Sequence, residues 1–244
     1  MQKFFIPHKL KTGDITHLSD SDSEMIINQK RLNIEDLVEI ETYERIYLAH
    51  ITDITKASVE VEILEDKGER LKKEQPDITI IQSLSHESKF NYFLEKSVEI
   101  GVGRIIPVES KYSLKKRNKA VKSMGLWNKV IKDATEQSRS PYPPILEKPM
   151  KIKNLPEVEL NDSIKICLAT ENVESKYLNK YLKDININQN FVIAIGPEKG
   201  WSSSDIKTFK NLDFDFVKLR GNILRTETAA LVIISIIKYL KGEI

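Results

Sequence analysis

The sequence predicts a small β domain over residues 1–72 followed by a mostly parallel α/β domain over residues 73–244, and three observations carry that prediction. The first 70 residues contain short runs rich in Ile, Val, Leu, Tyr and Phe with no strong helical period. After Pro76, apolar strands alternate with amphipathic helices, the pattern of a sheet covered on both faces. The charge also changes sign. Residues 1–70 hold nine Lys/Arg against fifteen Asp/Glu, whereas residues 71–150 hold fifteen against nine. That contrast marks separate regions, the middle one facing an anionic partner.

In the first domain, strands are expected at Lys3–Ile6, Met25–Asn28, Leu37–Glu41, Tyr47–Thr52 and Ser58–Leu64. The stretch Ser58-Val-Glu-Val-Glu-Ile alternates apolar and polar residues, as a strand with one wet face does. Several short strands with polar turns suggest a small barrel or sandwich. The polar stretch Glu65–Gln75, ending at Pro76, reads as a linker.

In the second domain, Asp77–Leu84 is an apolar strand. A helix His86–Ile100 carries Phe90, Phe93, Leu94 and Val98 on one face and stops at Gly101. Arg104–Val108 is a strand, and Met124–Ser138 a helix burying Trp127, Val130, Ile131 and Ala134. Ile164–Ala169, apart from Lys165, and Phe191–Ile195 are continuous apolar runs, expected of strands covered on both faces. Ser202–Ser204 with Asp205 caps a helix running through Phe209. Phe214–Leu219 is a strand, and Glu227–Leu240 is a final helix closed by Gly242.

Several classes are excluded. The apolar run Ala229–Ile237 is far short of the roughly 20 residues that span a bilayer. The start, MQKFFIPHKL, has neither an apolar signal core nor a small-residue cleavage site. Cys167 is the sole cysteine, and His8, His17, His50 and His86 show no ligand spacing. A reduced, cytoplasmic protein without a metal is expected.

Two segments that follow apolar strands and open helices are candidates for chemistry: Ile195-Gly-Pro-Glu-Lys-Gly-Trp-Ser and Leu219-Arg-Gly-Asn-Ile-Leu-Arg-Thr-Glu-Thr-Ala. In open α/β sheets, ligands sit beyond the carboxyl ends of strands. Neither segment matches a dinucleotide or P-loop fingerprint. Arg225 and Glu227 sit at the mouth of a helix that is apolar almost all round, and so is buried in a core or a subunit interface. Thr226 or Thr228 could cap that helix, with Arg225 in a salt bridge; a ligand role for Arg225 and Glu227 is equally compatible. Lys111–Lys122 is a basic run with Tyr112 interleaved, a solvated face or a phosphate-backbone surface. Glu95, Lys96 and Glu99 read as surface ion pairing. No Ser/His/Asp or Cys/His arrangement supports nucleophilic hydrolysis.

Gly196-Pro-Glu-Lys-Gly-Trp-Ser, followed by Asn222-Ile-Leu-Arg-Thr-Glu-Thr-Ala229, resembles the RsmE family of bacterial 16S ribosomal RNA uridine-N3 methyltransferases in the SPOUT superfamily. Further matches are Lys3-Phe-Phe, Arg31-Leu with Asp36, Glu95-Lys-Ser-Val-Glu-Ile-Gly101, and Trp127 with Ala134-Thr-Glu-Gln-Ser-Arg139. The resemblance covers nearly the whole chain. It departs from the family at Glu35, Lys199 and Arg220, where Gly is usual, and at Lys111-Tyr112, where Glu-Arg is frequent.

The resemblance implies an α/β protein with a small N-terminal PUA-like β-barrel and a C-terminal SPOUT domain holding a deep trefoil knot. It implies S-adenosylmethionine as cofactor, held by Leu168, Ala169, Thr170, Ile195, Gly196, Gly200, Leu219, Gly221, Asn222 and Leu224. It also implies a homodimer packed through the last helix, with 16S rRNA in the small ribosomal subunit as substrate. Arg225, Glu198 and Glu227 become the candidates for catalysis: Arg225 to orient or stabilise the base, a glutamate to accept the N3 proton. Arg31, Lys115, Lys116, Arg117 and Arg139 become candidates for RNA binding. Two alternatives stay open: the same enzyme class on another RNA, or a non-catalytic RNA- or ribosome-binding protein of the same fold.

Overall fold

The computed structural model of the protein describes residues 1–29, 31–42, 44–69, 77–138, 140, 142–160, 162–169 and 173–244. The 72/73 domain boundary, Arg139 and Thr170 lie outside the described residues. The chain divides into two compact units. One comprises Met1–Lys73 with Thr135–Tyr142, and the other Glu74–Ala134 with Pro143–Ile244. The division is therefore not purely sequential, because the last turn of one helix belongs with the first unit.

The first unit contains β1 (Gln2–Phe5), β2 (Ile15–His17), α1 (Asp20–Gln29), β3 (Leu37–Glu41), β4 (Arg45–Ile54) and β5 (Val59–Glu69). They form a five-stranded sheet in the order β1-β3-β4-β5-β2, parallel at β1–β3 and antiparallel elsewhere. No pairing among the described residues joins β1 to β2, so the observed order is that of an open sheet. Its core includes Phe4, Val38, Ile40, Tyr47, Ala49, Ile51, Val59 and Val61.

Two expectations change here. Met25–Asn28 is helical, not a strand. Ser19 Oγ accepts the Asp22 N–H at 3.1 Å, and Asp20 and Asp22 stand in the first turn, so capping overrides the apolar run. The stretch read as a linker from Glu65 is strand as far as Glu69, held by continued pairing with β4. Glu35, at a position where a glycine is usual, has φ of 73°, a left-handed conformation that costs a side-chain-bearing residue about 1–2 kcal/mol.

The second unit contains β6 (Ile78–Ser83), α2 (Glu87–Ile100), β7 (Arg104–Glu109), α3 (Arg117–Lys122), α4 (Met124–Ser138, its end in the first unit), β8 (Ile145–Leu146) and β9 (Met150–Lys151). There follow β10 (Ser163–Leu168), β11 (Lys176–Tyr177), α5 (Leu178–Tyr181), β12 (Asn190–Ile195), α6 (Ser203–Asn211), β13 (Asp215–Lys218) and α7 (Thr226–Leu240). The sheet order is β11-β13-β10-β12-β6-β7-β8, with β9 also on β7, and all of its pairings are parallel.

Side chains alternate between the two faces of this sheet. Ile78, Ile80, Ile105, Phe191 and Ile193 join a core with Phe90, Trp127 and Ile233. Ile81, Ile106, Val192, Ala194 and Cys167 join another with Trp201 and Phe209. Both faces being covered explains why these strands read as runs dominated by apolar residues. Among the described residues no helix is long and apolar enough to cross a membrane.

Candidate functional site

The site is built where two strand-to-helix connections meet. The first leaves β12 as Gly196-Pro-Glu-Lys-Gly-Trp. Gly200 has φ of +71°, a left-handed position suited to glycine, and its N–H donates to the Pro197 carbonyl at 2.8 Å. A Cβ on Gly196 would lie 3.2 Å from the Trp201 ring, so the turn has room for glycine alone without a shift. Trp201 is 9% exposed and packs edge-on against Phe209 at 4.8 Å. Ser202 and Asp205 then close a reciprocal capping box that starts α6.

The second connection leaves β13 as Leu219-Arg-Gly-Asn-Ile-Leu-Arg. Leu219 and Leu224 are half-buried; Arg220, Gly221, Asn222, Ile223 and Arg225 are exposed. Arg220 stacks on the Tyr177 ring at 4.4 Å, with Lys218 over the same ring at 4.8 Å. This pins the Arg220 side chain to the β11 edge of the sheet.

Thr226 joins the two connections. Its Oγ1 donates to the Gly196 carbonyl at 2.6 Å and accepts from Gln82 Nε2 at 2.8 Å. β13 lies on the far side of β10 and β12 from β6. The chain after β13 therefore crosses both strands to bring Thr226 beside Gly196 and Gln82. Gln82, at the carboxyl end of β6, is 1% exposed, and its Oε1 has no hydrogen-bond partner. Burying an amide oxygen unpaired is costly, so this site holds back a polar group that a ligand or water can satisfy.

The charged candidates separate by burial. Arg225 occupies the N-cap position of α7 without a side-chain cap. It is exposed, not at a buried mouth, and its charge acts on Glu198. Neither threonine caps α7: Thr226 is spent on Gly196 and Gln82. Glu227 is 7% exposed, with Oε2 unpartnered in the first turn of α7. Glu198 is paired with Lys89 of α2. That hydrogen-bonded ion pair, with smaller contributions from His86 and Arg225, holds the Glu198 carboxyl below the ordinary carboxylate range. A carboxylate so stabilised is a weaker proton acceptor than a free one.

At the other connections, Leu168 and Ala169 end β10, where the Ala169 N–H donates to the Val217 carbonyl at 2.9 Å. Leu219, Arg220 and Leu224 line a cavity of about 370 Å³ with Leu178, Val232 and Ile236. Ile195, Gly196, Gly200, Gly221 and Asn222 do not line it. Among the described residues no group of His, Cys, Asp or Glu side chains is arranged to hold a metal ion.

The basic run divides in two. Lys115 is occupied: its Nζ lies 2.7 Å from Glu87 and from Ser123 Oγ, and 5.6 Å from the Trp127 ring centroid. Arg117 donates to the Pro149 carbonyl and to Asn118. Lys116 is exposed, 3.7 Å from Glu109. Arg31 is exposed in the first unit. Lys96 bridges Glu95 and Glu99, the surface pairing expected of it. Sequence reasoning missed Gln82 and Lys89. The signal for Gln82 was a single amide inside the apolar strand Ile78–Leu84; Lys89 stood on a polar helix face and gave none.

The chain matches the family model described as "RNA methyltransferase domain" over residues 72–238. It is 30% identical to Ribosomal RNA small subunit methyltransferase E of Aquifex aeolicus, over 79% of this chain and 81% of that one. The protein of the same name from Buchnera aphidicola of Acyrthosiphon pisum is 28% identical, over 99% and 94%. Among solved structures, Ribosomal RNA small subunit methyltransferase E from Neisseria gonorrhoeae, bound to S-adenosyl methionine, superposes with a TM-score of 0.70. That pair is 27% identical and 98% of each chain is covered. A probable rRNA-methyltransferase from Porphyromonas gingivalis shares the fold, with a TM-score of 0.72 at 23% identity and 99% of each chain covered.

Proposed function

The chain belongs to the RNA methyltransferase domain family, and from that premise we propose that it transfers a methyl group from S-adenosylmethionine to N3 of a uridine in 16S rRNA of the small ribosomal subunit. The observation that carries this reading is the junction of the 196–201 and 219–226 connections through Thr226, at the carboxyl ends of β12 and β6. The relatives named for small-subunit rRNA methylation supply the substrate.

The residues present fit the cofactor. A Cβ at Gly221 would meet nothing within 4 Å, leaving space beside the junction, and the Gln82 amide oxygen is unsatisfied. Leu168, Ala169, Thr170, Ile195, Gly196, Gly200, Leu219, Gly221, Asn222 and Leu224 would hold it, mostly by backbone. When bound, S-adenosylmethionine supplies an electrophilic methyl group on a cationic sulfur.

The chain's own residues then have to present the imide nitrogen and manage its proton. Arg225, exposed at the head of α7, orients the uracil and stabilises negative charge developing on its oxygens. Of the two carboxylates, Glu227 is the better candidate for proton acceptor, because its Oε2 has no hydrogen-bond partner while Lys89 occupies Glu198.

The crossing of the chain from β13 over β10 and β12 supports a deep trefoil knot in this unit. The first unit, with its five strands, is read as a PUA-like barrel gripping RNA, with Arg31 on its surface. Exposed Lys116 and, beside it, Arg117 are RNA contacts on the second unit. The half-buried apolar stripe of α7, including Val232 and Ile236, with Tyr239 71% exposed, supports a homodimer packed through this helix. The enzyme acts in the cytoplasm, where ribosomal subunits assemble. The deciding experiment is incubation with radiolabelled S-adenosylmethionine and small ribosomal subunits, followed by mapping of the modified base. Label on N3 of one uridine is expected; label absent from the rRNA would overturn the reading.

A further inference from the structure

Basic groups from two separate segments face one carboxylate at the carboxyl edge of the sheet. Lys89, in the first turn of α2, ion-pairs with Glu198 in the turn after β12. Arg225, at the head of α7, and His86, just before α2, both act electrostatically on that same carboxylate. The remaining carboxylate of this helix turn, Glu87, is already committed to Lys115 at 2.7 Å. Glu198 is thus the anion that neutralises this corner, and it is 44% exposed, held by an ion pair that water can compete for.

Both side chains of the pair reach solvent, Lys89 being 25% exposed. The turn that carries Glu198 keeps its shape through other contacts: the Gly200–Pro197 hydrogen bond, the Gly196 tie to Thr226 and the Ser202 cap. A carboxylate that is dispensable for the turn but sits among converging cations resembles a bound oxyanion. The polyanion expected at this face is the phosphate backbone of RNA, which Lys and Arg bind as point charge and fork.

We propose that Lys89 binds a backbone phosphate of the substrate RNA, and that Glu198 occupies the place of that phosphate until RNA displaces it. The inference rests on the rRNA methyltransferase reading. It deepens it by assigning Lys89 a substrate-positioning role and Glu198 a placeholder role. On arrival of RNA the Lys89–Glu198 pair opens, the phosphate takes Lys89, and Glu198 turns to solvent. Non-specific anions pay for that displacement, whereas a correctly docked strand recovers the cost in its other contacts.

The test measures binding of a fluorescent single-stranded RNA carrying the relatives' target-site sequence, across a salt series, with full-length wild type, Glu198→Gln, Lys89→Ala and Lys89→Arg. Glu198→Gln is expected to bind about threefold tighter, the size of an exposed ion pair. Lys89→Ala should bind more weakly, with its log–log salt slope shallower by about 0.7, one phosphate contact on a single strand. Lys89→Arg should restore the slope. Calorimetric titration with S-adenosylmethionine should give the same affinity for all four proteins. Unchanged or weaker RNA binding by Glu198→Gln, or a Lys89→Ala protein with the wild-type slope, overturns the inference. If wild type methylates the small subunit while these shifts are absent, only this inference falls; if wild type neither binds RNA nor transfers methyl, the functional reading falls with it.

Discussion

Thr226 Oγ1 donates to the Gly196 carbonyl at 2.6 Å, fastening the head of the last helix to a turn 30 residues earlier in the chain. Because the same hydroxyl accepts from buried Gln82, one side chain holds three segments in register at the edge of the sheet. The bond is the physical means by which two separate sequence motifs become one site.

Thr226→Val keeps the shape of the side chain and removes the hydroxyl. It leaves the Gly196 carbonyl and the Gln82 amide short of partners, at an expected cost of about 1–3 kcal/mol. Urea unfolding should show a lower midpoint, and calorimetry a weaker affinity for S-adenosylmethionine. Equal midpoints and equal affinities would show that the tie is dispensable.

Arg225→Ala removes an exposed side chain, so folding should be unaffected. Turnover should fall by about 10²-fold, the scale of losing one donor to developing negative charge. Cofactor affinity should hold. Parallel loss of turnover and cofactor binding would reassign Arg225 to the cofactor pocket.

Lys115 and Lys116 are neighbours with opposite fates. Lys115→Ala should destabilise the protein by about 1 kcal/mol through loss of Glu87, Ser123 and the Trp127 ring. Lys116→Ala should leave the melting temperature alone and reduce the salt dependence of RNA binding. Thermal melts beside a salt-series titration separate the two; identical behaviour would return both to a solvated face.

Ile236→Glu places a charge on the half-buried stripe of α7. Light scattering should show twice the chain mass for wild type and a single chain for the variant. Wild type running as a single chain would remove the helix-packed dimer.

His50 stands between Glu62 at 3.1 Å and Glu35 at 3.2 Å, and these hydrogen bonds, Glu62 first, raise its pKa above the ordinary 6.5. Protonation is thus favoured in the folded state. The stabilisation is complete below the unfolded value and is lost as pH rises through the raised folded value. An NMR titration should place the His50 midpoint above 6.5, and Glu62→Gln should lower it. A midpoint unmoved by Glu62→Gln would show that the carboxylate does not act on the ring.

Much of the architecture was legible in the chain. Period-two alternation marked β5, runs dominated by apolar residues marked the doubly covered strands β6, β10 and β12, and 3.6-residue spacing marked α2 and α4. These signals are local, set by which face of one element meets water, so the sequence by itself determined them. The two motifs flanking Gly196 and Arg225 were legible too, because turn geometry and family likeness act within a few residues. Met25–Asn28 was misread because three apolar positions do not distinguish strand from helix, and the Ser19 cap decided it. Tertiary structure alone decided what each polar group does. Gln82 meets Thr226 across 144 residues, Lys89 meets Glu198 across 109, and Lys115 is consumed by Glu87 while Lys116 is not. Hydrogen bonds and ion pairs depend on distances between side chains remote in sequence, and only the order in which strands lie side by side sets those distances.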